Sequence, residues 1–142
     1  MDQLSEIEKE KVKRSYFNLV ALFLQQPQVE NRFVRCLIKW SVQVEISSDD
    51  IVKLGKDLDK LTYSAPQTEE EKLKSLFHLV YMIYLDRVIE DVELEVAMLY
   101  AEKIGLDKTV VVRLFQSIAT ASGDGILPEM LERDVTEIMK SN

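Results

Sequence analysis

The segment 73–106 constrains the fold of this chain more than any other part of the sequence. It consists of a strongly apolar stretch, a short acidic turn and a second amphipathic stretch. The run LFHLVYMIYL at positions 76–85 is apolar on nearly every side of a helical wheel. That pattern is typical of a helix surrounded by other helices. We therefore expect this helix at the centre of a helical domain.

Capping signals and apolar periodicity predict helices along the rest of the chain. Ser5 with Glu8, and Thr68 with Glu71, have the spacing of capping boxes. Gly105 is suited to ending a helix, and no segment alternates with period two for long enough to require a strand. We expect helices over about 5–25, 29–44, 47–61, 68–85 and 91–104, a sixth from 107 to the Gly-rich turn at 122–125, and a last one from 128. The sequence predicts one all-α domain over residues 1–142, with about seven short helices built from repeated helix-turn-helix units.

Composition and charge exclude several classes of function. A formal net charge of −7 and a pI near 4.8 disfavour a nucleic-acid-binding domain, which needs a basic face. No apolar run approaches the roughly 20 residues of a membrane span, and the amino terminus lacks the pattern of a signal peptide. A single cysteine excludes an internal disulfide framework. We therefore predict a cytoplasmic protein with no nucleic acid partner and no direct membrane insertion.

Three breaks between the predicted helices resemble one another. Segment 43–50 aligns with 86–93, and segment 124–128 aligns with the start of both. The leading and closing residues of the three copies are Gln43 and Asp50, Asp86 and Glu93, and Asp124 and Leu131. Only the middle copy has an acid at both ends. Helix-turn-helix units also converge on such turns, since helix starts favour acidic residues. The pattern is therefore explained either by an internal repeat or by convergence.

The middle copy and the helix after it resemble the TerB-like (tellurite-resistance B) family of small helical bacterial proteins. The family pattern is Asp-Gly-x-Ile/Val-x-x-x-Glu after an apolar helix, followed by a helix that ends in a Leu-Gly-Leu-like stop. Here LDRVIEDVE at 85–93 supplies Asp86, the apolar position and Glu93, and IGL at 104–106 supplies the stop. Arg87 stands where the family has glycine, and Asp124 lacks a closing acid. The resemblance covers roughly 29–139 and implies a non-enzymatic stress-response module whose acidic residues bind a divalent cation.

Asp86 and Glu93 are the candidate metal ligands, and two interpretations of them remain open. Oxygen ligands suit Ca²⁺, Mg²⁺ or Mn²⁺, but two carboxylates need a third ligand such as Glu90, Asp91 or Asp124. In the other interpretation Asp86 pairs with Arg87 or a helix end. Glu93, which tilts toward the core, would then be satisfied by a buried lysine or by tyrosine hydroxyls from Tyr81, Tyr84 and Tyr100.

No arrangement of residues in the sequence indicates catalysis. His78 is the only histidine and lies off the main apolar stripe, whereas Cys36 lies on an inward face and is expected to be a buried, inert thiol. Phosphate-binding loops are missing from the sequence. We therefore expect a non-enzymatic TerB-like module that binds a divalent cation or docks a partner protein. The alternative is a ligand-free helical interaction adaptor, whose mark would be a contiguous exposed apolar patch.

Overall fold

The computed structural model describes residues 6–50, 52 and 63–124, with side chains to residue 120, and this part of the chain is all-helical. Five helices have defined bounds: α1 (Glu6–Leu24), α2 (Asn31–Gln43), α3 (Glu69–Tyr84), α4 (Asp91–Lys103) and α5 (Thr109–Asp124). A further helical segment starts at Ser48. No strand occurs among these residues, and none of their helices is long and apolar enough to cross a membrane.

Helix α3 is the centre of the bundle, which confirms the prediction from its all-round apolar sequence. It packs against each of the four other bounded helices. Leu76, Val80 and Ile83 have no exposed surface, and Phe77 stacks on Tyr81 with ring centroids 6.1 Å apart. Because a helix buried on all sides must be surrounded by apolar neighbours, the other helices turn their apolar faces toward α3. This arrangement sets where the acidic turn after α3 lies.

The end of α4 at Gly105 agrees with its predicted stop, and the start of α3 agrees with its predicted capping box in part. Helices α2 and α4 both end with a left-handed residue, Glu45 (φ 57°) and Gly105 (φ 86°), followed by the backbone hydrogen bonds of a Schellman motif. At the start of α3, Thr68 Oγ1 accepts from Glu71 N at 3.1 Å, but the Glu71 carboxylate accepts from Gln67 N rather than from Thr68. The second capping box is therefore only half formed.

The structure corrects one predicted helix boundary, and other predicted boundaries lie outside the described residues. The expected Gly-rich turn at 122–125 is wrong for residues 122–124, because α5 continues through them to Asp124. A glycine costs a helix only about 1 kcal/mol relative to alanine, so a packed helix can extend across it. The capping residue Ser5, most of the helix expected over 47–61 and the last helix from Pro128 lie outside the described residues.

Candidate functional site

The acidic turn links the central helix α3 to α4 and lies against the carboxyl-terminal half of α2, where Lys39 contacts Asp86 and the carbonyl of Val88. Glu93 is the third residue of α4, and its Oε1 accepts a hydrogen bond from Glu90 N at 3.1 Å. This contact closes the amino-terminal end of α4 in the manner of a capping box. A carboxylate in this position also faces the positive end of the helix dipole. The local sequence therefore holds Glu93 in a fixed orientation.

Glu93 has no exposed surface, and donors from α2 complete its hydrogen bonding. Trp40 Nε1 donates to Glu93 Oε2 at 2.6 Å, and Lys39 Nζ donates to Glu93 Oε1 at 2.8 Å. A buried carboxylate needs both hydrogen bonds and a compensating charge. Two consecutive residues of α2 supply them, so Glu93 joins α2 to α4 inside the core.

Lys39 brings the two predicted acids together. Its ammonium lies 3.1 Å from Asp86 Oδ2 as well as 2.8 Å from Glu93 Oε1, while Asp86 Oδ1 accepts from Val88 N at 3.0 Å. Partial burial disfavours the charged ammonium, but the hydrogen bonds to Glu93 and Asp86 outweigh that effect and raise the pKa of Lys39. The pair of carboxylates thus shares a positive charge that the protein itself provides.

The expected third oxygen ligand is not found in the described part of the chain. Glu90 and Asp91 are exposed, and no group of three or more His, Cys, Asp or Glu side chains among the described residues could hold a metal ion. The side chain of Asp124 lies outside the described residues. Asp86 and Glu93 remain predicted cation ligands on the resemblance alone, with Lys39 in the position where a shared cation would lie.

Of the two kinds of partner that the structural interpretation offered Glu93, a lysine donates to it and the tyrosine hydroxyls do not. Tyr100 forms hydrogen bonds with Ser75 and Tyr63, and burial raises its pKa. Burial likewise raises the pKa of Tyr81 to about 12. The lysine, Lys39, is only partly buried, and the sequence did not predict the contact with Trp40. The sequence placed Trp40 on the inward side of its helix. Because a buried indole N–H needs an acceptor, the sequence could have predicted a hydrogen bond from Trp40 to a buried acid.

The turn at 43–50 repeats part of this geometry. Asp50 Oδ2 accepts from Ser47 N at 2.8 Å, and Ser47 Oγ accepts from Asp50 N at 3.1 Å, so the two residues form a capping box. Lys13 Nζ of α1 lies 3.3 Å from Asp50 Oδ2, as Lys39 of α2 pairs with Glu93. The aligned closing acids therefore occupy equivalent helix positions, and each pairs with a lysine from an earlier helix.

Arg87 adopts the left-handed backbone conformation, with φ at 61°. Glycine reaches this region without cost, whereas a side chain with a Cβ is strained there. The residue stands where the TerB-like pattern has glycine. The backbone of the turn thus has the conformation that a glycine would favour, although the sequence has arginine.

Cys36 and His78, the two other residues that the sequence singled out, are both buried. Cys36 is buried, and burial together with the nearby Glu93 carboxylate raises its pKa to about 11, which agrees with an inert thiol. His78 is buried on α3 rather than lying off the apolar side, and its Nδ1 is 2.7 Å from Ser15 Oγ of α1.

The outer face of α2 carries an exposed row of β-branched side chains. Val34, Ile38 and Val42 are 38%, 61% and 73% exposed, while Phe33 and Trp40 of the same helix are buried. Residues spaced by four positions lie along one side of a helix, about 40° apart. We call Val34, Ile38 and Val42 the α2 stripe. Sequence periodicity assigned the buried side of α2 but overlooked this second, solvent-facing row.

The charged residues within α2 itself are all positive. Helix α2 contains Arg32, Arg35 and Lys39 and no acidic residue. Arg32 pairs with Glu30 and with Glu95 of α4, and Lys39 pairs with Asp86 and Glu93. Among the described residues Arg35 has no ion pair, and on a helical wheel it lies about 20° from Val42.

Comparisons with protein-family models, with curated proteins and with solved structures found no match to this chain. The likeness to TerB-like proteins therefore rests on residues 85–93 and 104–106.

Proposed function

We propose that this chain is a non-enzymatic, cytoplasmic helical docking module of the TerB-like kind, which binds a partner protein through the α2 stripe. The observation that carries this proposal is the exposure of Val34, Ile38 and Val42 along one side of α2. An apolar row on a helix that already buries its opposite side does not contribute to the core. Exposed apolar surface of this kind, bordered by charge, is typical of interaction sites.

The partner is a segment that forms an amphipathic helix with acidic residues beside its apolar side. Apolar residues at helical spacing would pack along the α2 stripe, as in helix-in-groove and coiled-coil recognition. An acidic residue beside them would pair with Arg35, the cation of α2 that has no ion pair among the described residues. A second copy of this chain fits less well, because α2 against α2 offers no acid to Arg35.

Fluorescence anisotropy with designed peptides tests this proposal. The probe is a labelled helical peptide with leucines at i, i+4 and i+7 and flanking glutamates, and its control has lysines in place of the glutamates. We expect saturable binding of the acidic peptide, its loss in Ile38→Glu, and weaker binding in Arg35→Gln. Val112→Glu is the matched control, since Val112 is an exposed apolar residue of α5.

Three results would contradict the docking proposal. One is equal binding of the acidic and basic peptides, and another is unchanged binding by Ile38→Glu. The third is a concentration-dependent dimer, measured by light scattering, that Ile38→Glu converts to a monomer. That third result would mean that a second copy occupies the stripe. Circular dichroism of each variant checks that the helical fold is retained.

The TerB-like part of the proposal is supported by the backbone of Arg87. Its positive φ occurs at the position where the family has glycine, within the segment that carries the resemblance. By analogy with that family, the module would act in a stress response.

A divalent cation site at Asp86 and Glu93 is the second candidate function, because both carboxylates converge on one positive charge. A metal ion would have to displace the Lys39 ammonium from between them. Calorimetric titration of chelator-stripped protein with Ca²⁺, Mg²⁺, Mn²⁺ and Zn²⁺ tests this function. Cation-dependent thermal stabilisation that is lost in Glu93→Gln would support it, and no heat of binding with any of the four ions would reject it.

A further inference from the structure

A cavity of about 460 Å³ lies where α1, α2 and α4 meet, away from the acidic turn. The end of α1, the loop at 25–27, the first turn of α2 and the outer part of α4 line it, and its mouth is open to solvent. Its buried walls come from three helices and are formed by Leu19, Phe23, Phe33 and Val96. The rings of Phe23 and Phe33 lie 5.9 Å apart and pack against each other, which holds two walls in place.

The cavity has the size and the lining of a small-molecule site. Ligand pockets in proteins measure roughly 300–1,000 Å³ and are mostly apolar, with a few polar groups at defined points. The space is open to solvent on one side, so an apolar ligand that fills it would remove apolar wall surface from water.

Among the described residues that line the cavity, one carries a positive charge and none carries a negative charge. Leu99 and Lys103, one turn apart on α4, lie at the rim, and both are exposed. None of the lining residues is an Asp or a Glu, and Lys103 has no ion pair among the described residues. A lysine in the last turn of a helix also interacts favourably with the helix dipole, so its contribution to binding must be separated from its contribution to stability.

We infer that this cavity binds an amphiphilic carboxylate of the fatty-acid class, with its hydrocarbon chain against the apolar walls and its carboxylate at Lys103. An anionic head group complements Lys103 at the rim, and an apolar chain complements the walls. The site is separate from both the α2 stripe and the Asp86–Lys39–Glu93 cluster, so the inference is independent of the proposed function.

The inference is tested with dodecanoate and dodecanol, both below the concentration at which dodecanoate forms micelles. Displacement of a fluorescent apolar probe from the full chain should be saturable with dodecanoate and weaker with dodecanol. Lys103→Gln should weaken dodecanoate binding about two- to fivefold, as expected for an exposed ion pair, and Lys103→Arg should retain it. Thermal unfolding of ligand-free Lys103→Gln separates any effect on stability from the effect on binding.

A pair of tryptophan variants locates the site. Leu99→Trp should close the mouth and abolish dodecanoate binding. Val112→Trp, at a similarly exposed position on α5, should leave binding unchanged. Dodecanol that binds as tightly as dodecanoate, or Lys103→Gln that binds like the wild type, would overturn the assignment of a carboxylate ligand. The absence of saturable binding, or binding that survives Leu99→Trp, would overturn the site itself.

Discussion

Replacing Lys39 by methionine should destabilise the protein strongly, because it leaves the Glu93 carboxylate in the core without a counter-charge. Glu93 has no exposed surface, and Lys39 is its ion-pair partner at 2.8 Å. Methionine keeps most of the volume of lysine but removes the ammonium. Breaking one side of a buried ion pair typically costs about 3–5 kcal/mol, since the remaining charge is uncompensated.

The expected size lies at the lower end of that range. Trp40 and the backbone of Glu90 would still donate to Glu93, and the side chain of Lys39 is 25% exposed, so part of its interaction is screened. We therefore expect a loss of about 3 kcal/mol in the free energy of unfolding. For a domain of this length that corresponds to a fall of roughly 10 °C in melting temperature.

Urea denaturation followed by circular dichroism measures this loss, with a matched variant as control. Lys74→Met removes the partner of an exposed i,i+4 pair with Glu70 and should cost at most about 0.5 kcal/mol. The double variant Lys39→Met/Glu93→Gln leaves no buried charge and should lose only about 1 kcal/mol. If Lys39→Met cost no more than Lys74→Met, or if the double variant were as unstable as Lys39→Met, the reasoning about Glu93 would be refuted.

Three further predictions concern the core, the turn and the pH dependence of stability. Phe77→Ala should cost about 3–5 kcal/mol in urea denaturation, because the ring is 3% exposed in the central helix; a loss below 1 kcal/mol would contradict that position. Arg87→Gly should stabilise the protein by about 1 kcal/mol, since φ is 61° there, whereas Arg113→Gly within α5 should destabilise it by a similar amount. The Ser47 N–H and hydroxyl lower the pKa of Asp50 in the folded state, so its contribution to stability is present above the unfolded pKa near 4 and is lost as pH falls through the folded pKa. Asp50→Asn should therefore cost about 0.5 kcal/mol at pH 7, after allowance for solvent screening, and less as the pH falls below the unfolded pKa; an equal cost at pH 7 and pH 2 would contradict this.

The sequence by itself determined the helical class and the central position of α3. Local signals are sufficient for these features, because apolar periodicity follows the geometry of a single helix. The end of α4 at Gly105 was predicted for the same reason, since a left-handed residue after a helix is favoured by glycine. The stop at 122–124 was predicted wrongly, because a glycine is only a weak local penalty and α5 continues through it.

Tertiary structure alone decided how the acidic turn is neutralised. The sequence indicated that Glu93 faces the core and needs a partner, but Lys39 and Trp40 precede it by more than 50 positions. Which donors reach a buried carboxylate depends on how α2 crosses α4, and no local pattern encodes that crossing. The exposed α2 stripe and the cavity beside Lys103 arise in the same way, because exposure is a property of the assembled bundle: a valine on a helix is a core residue only if another helix covers it.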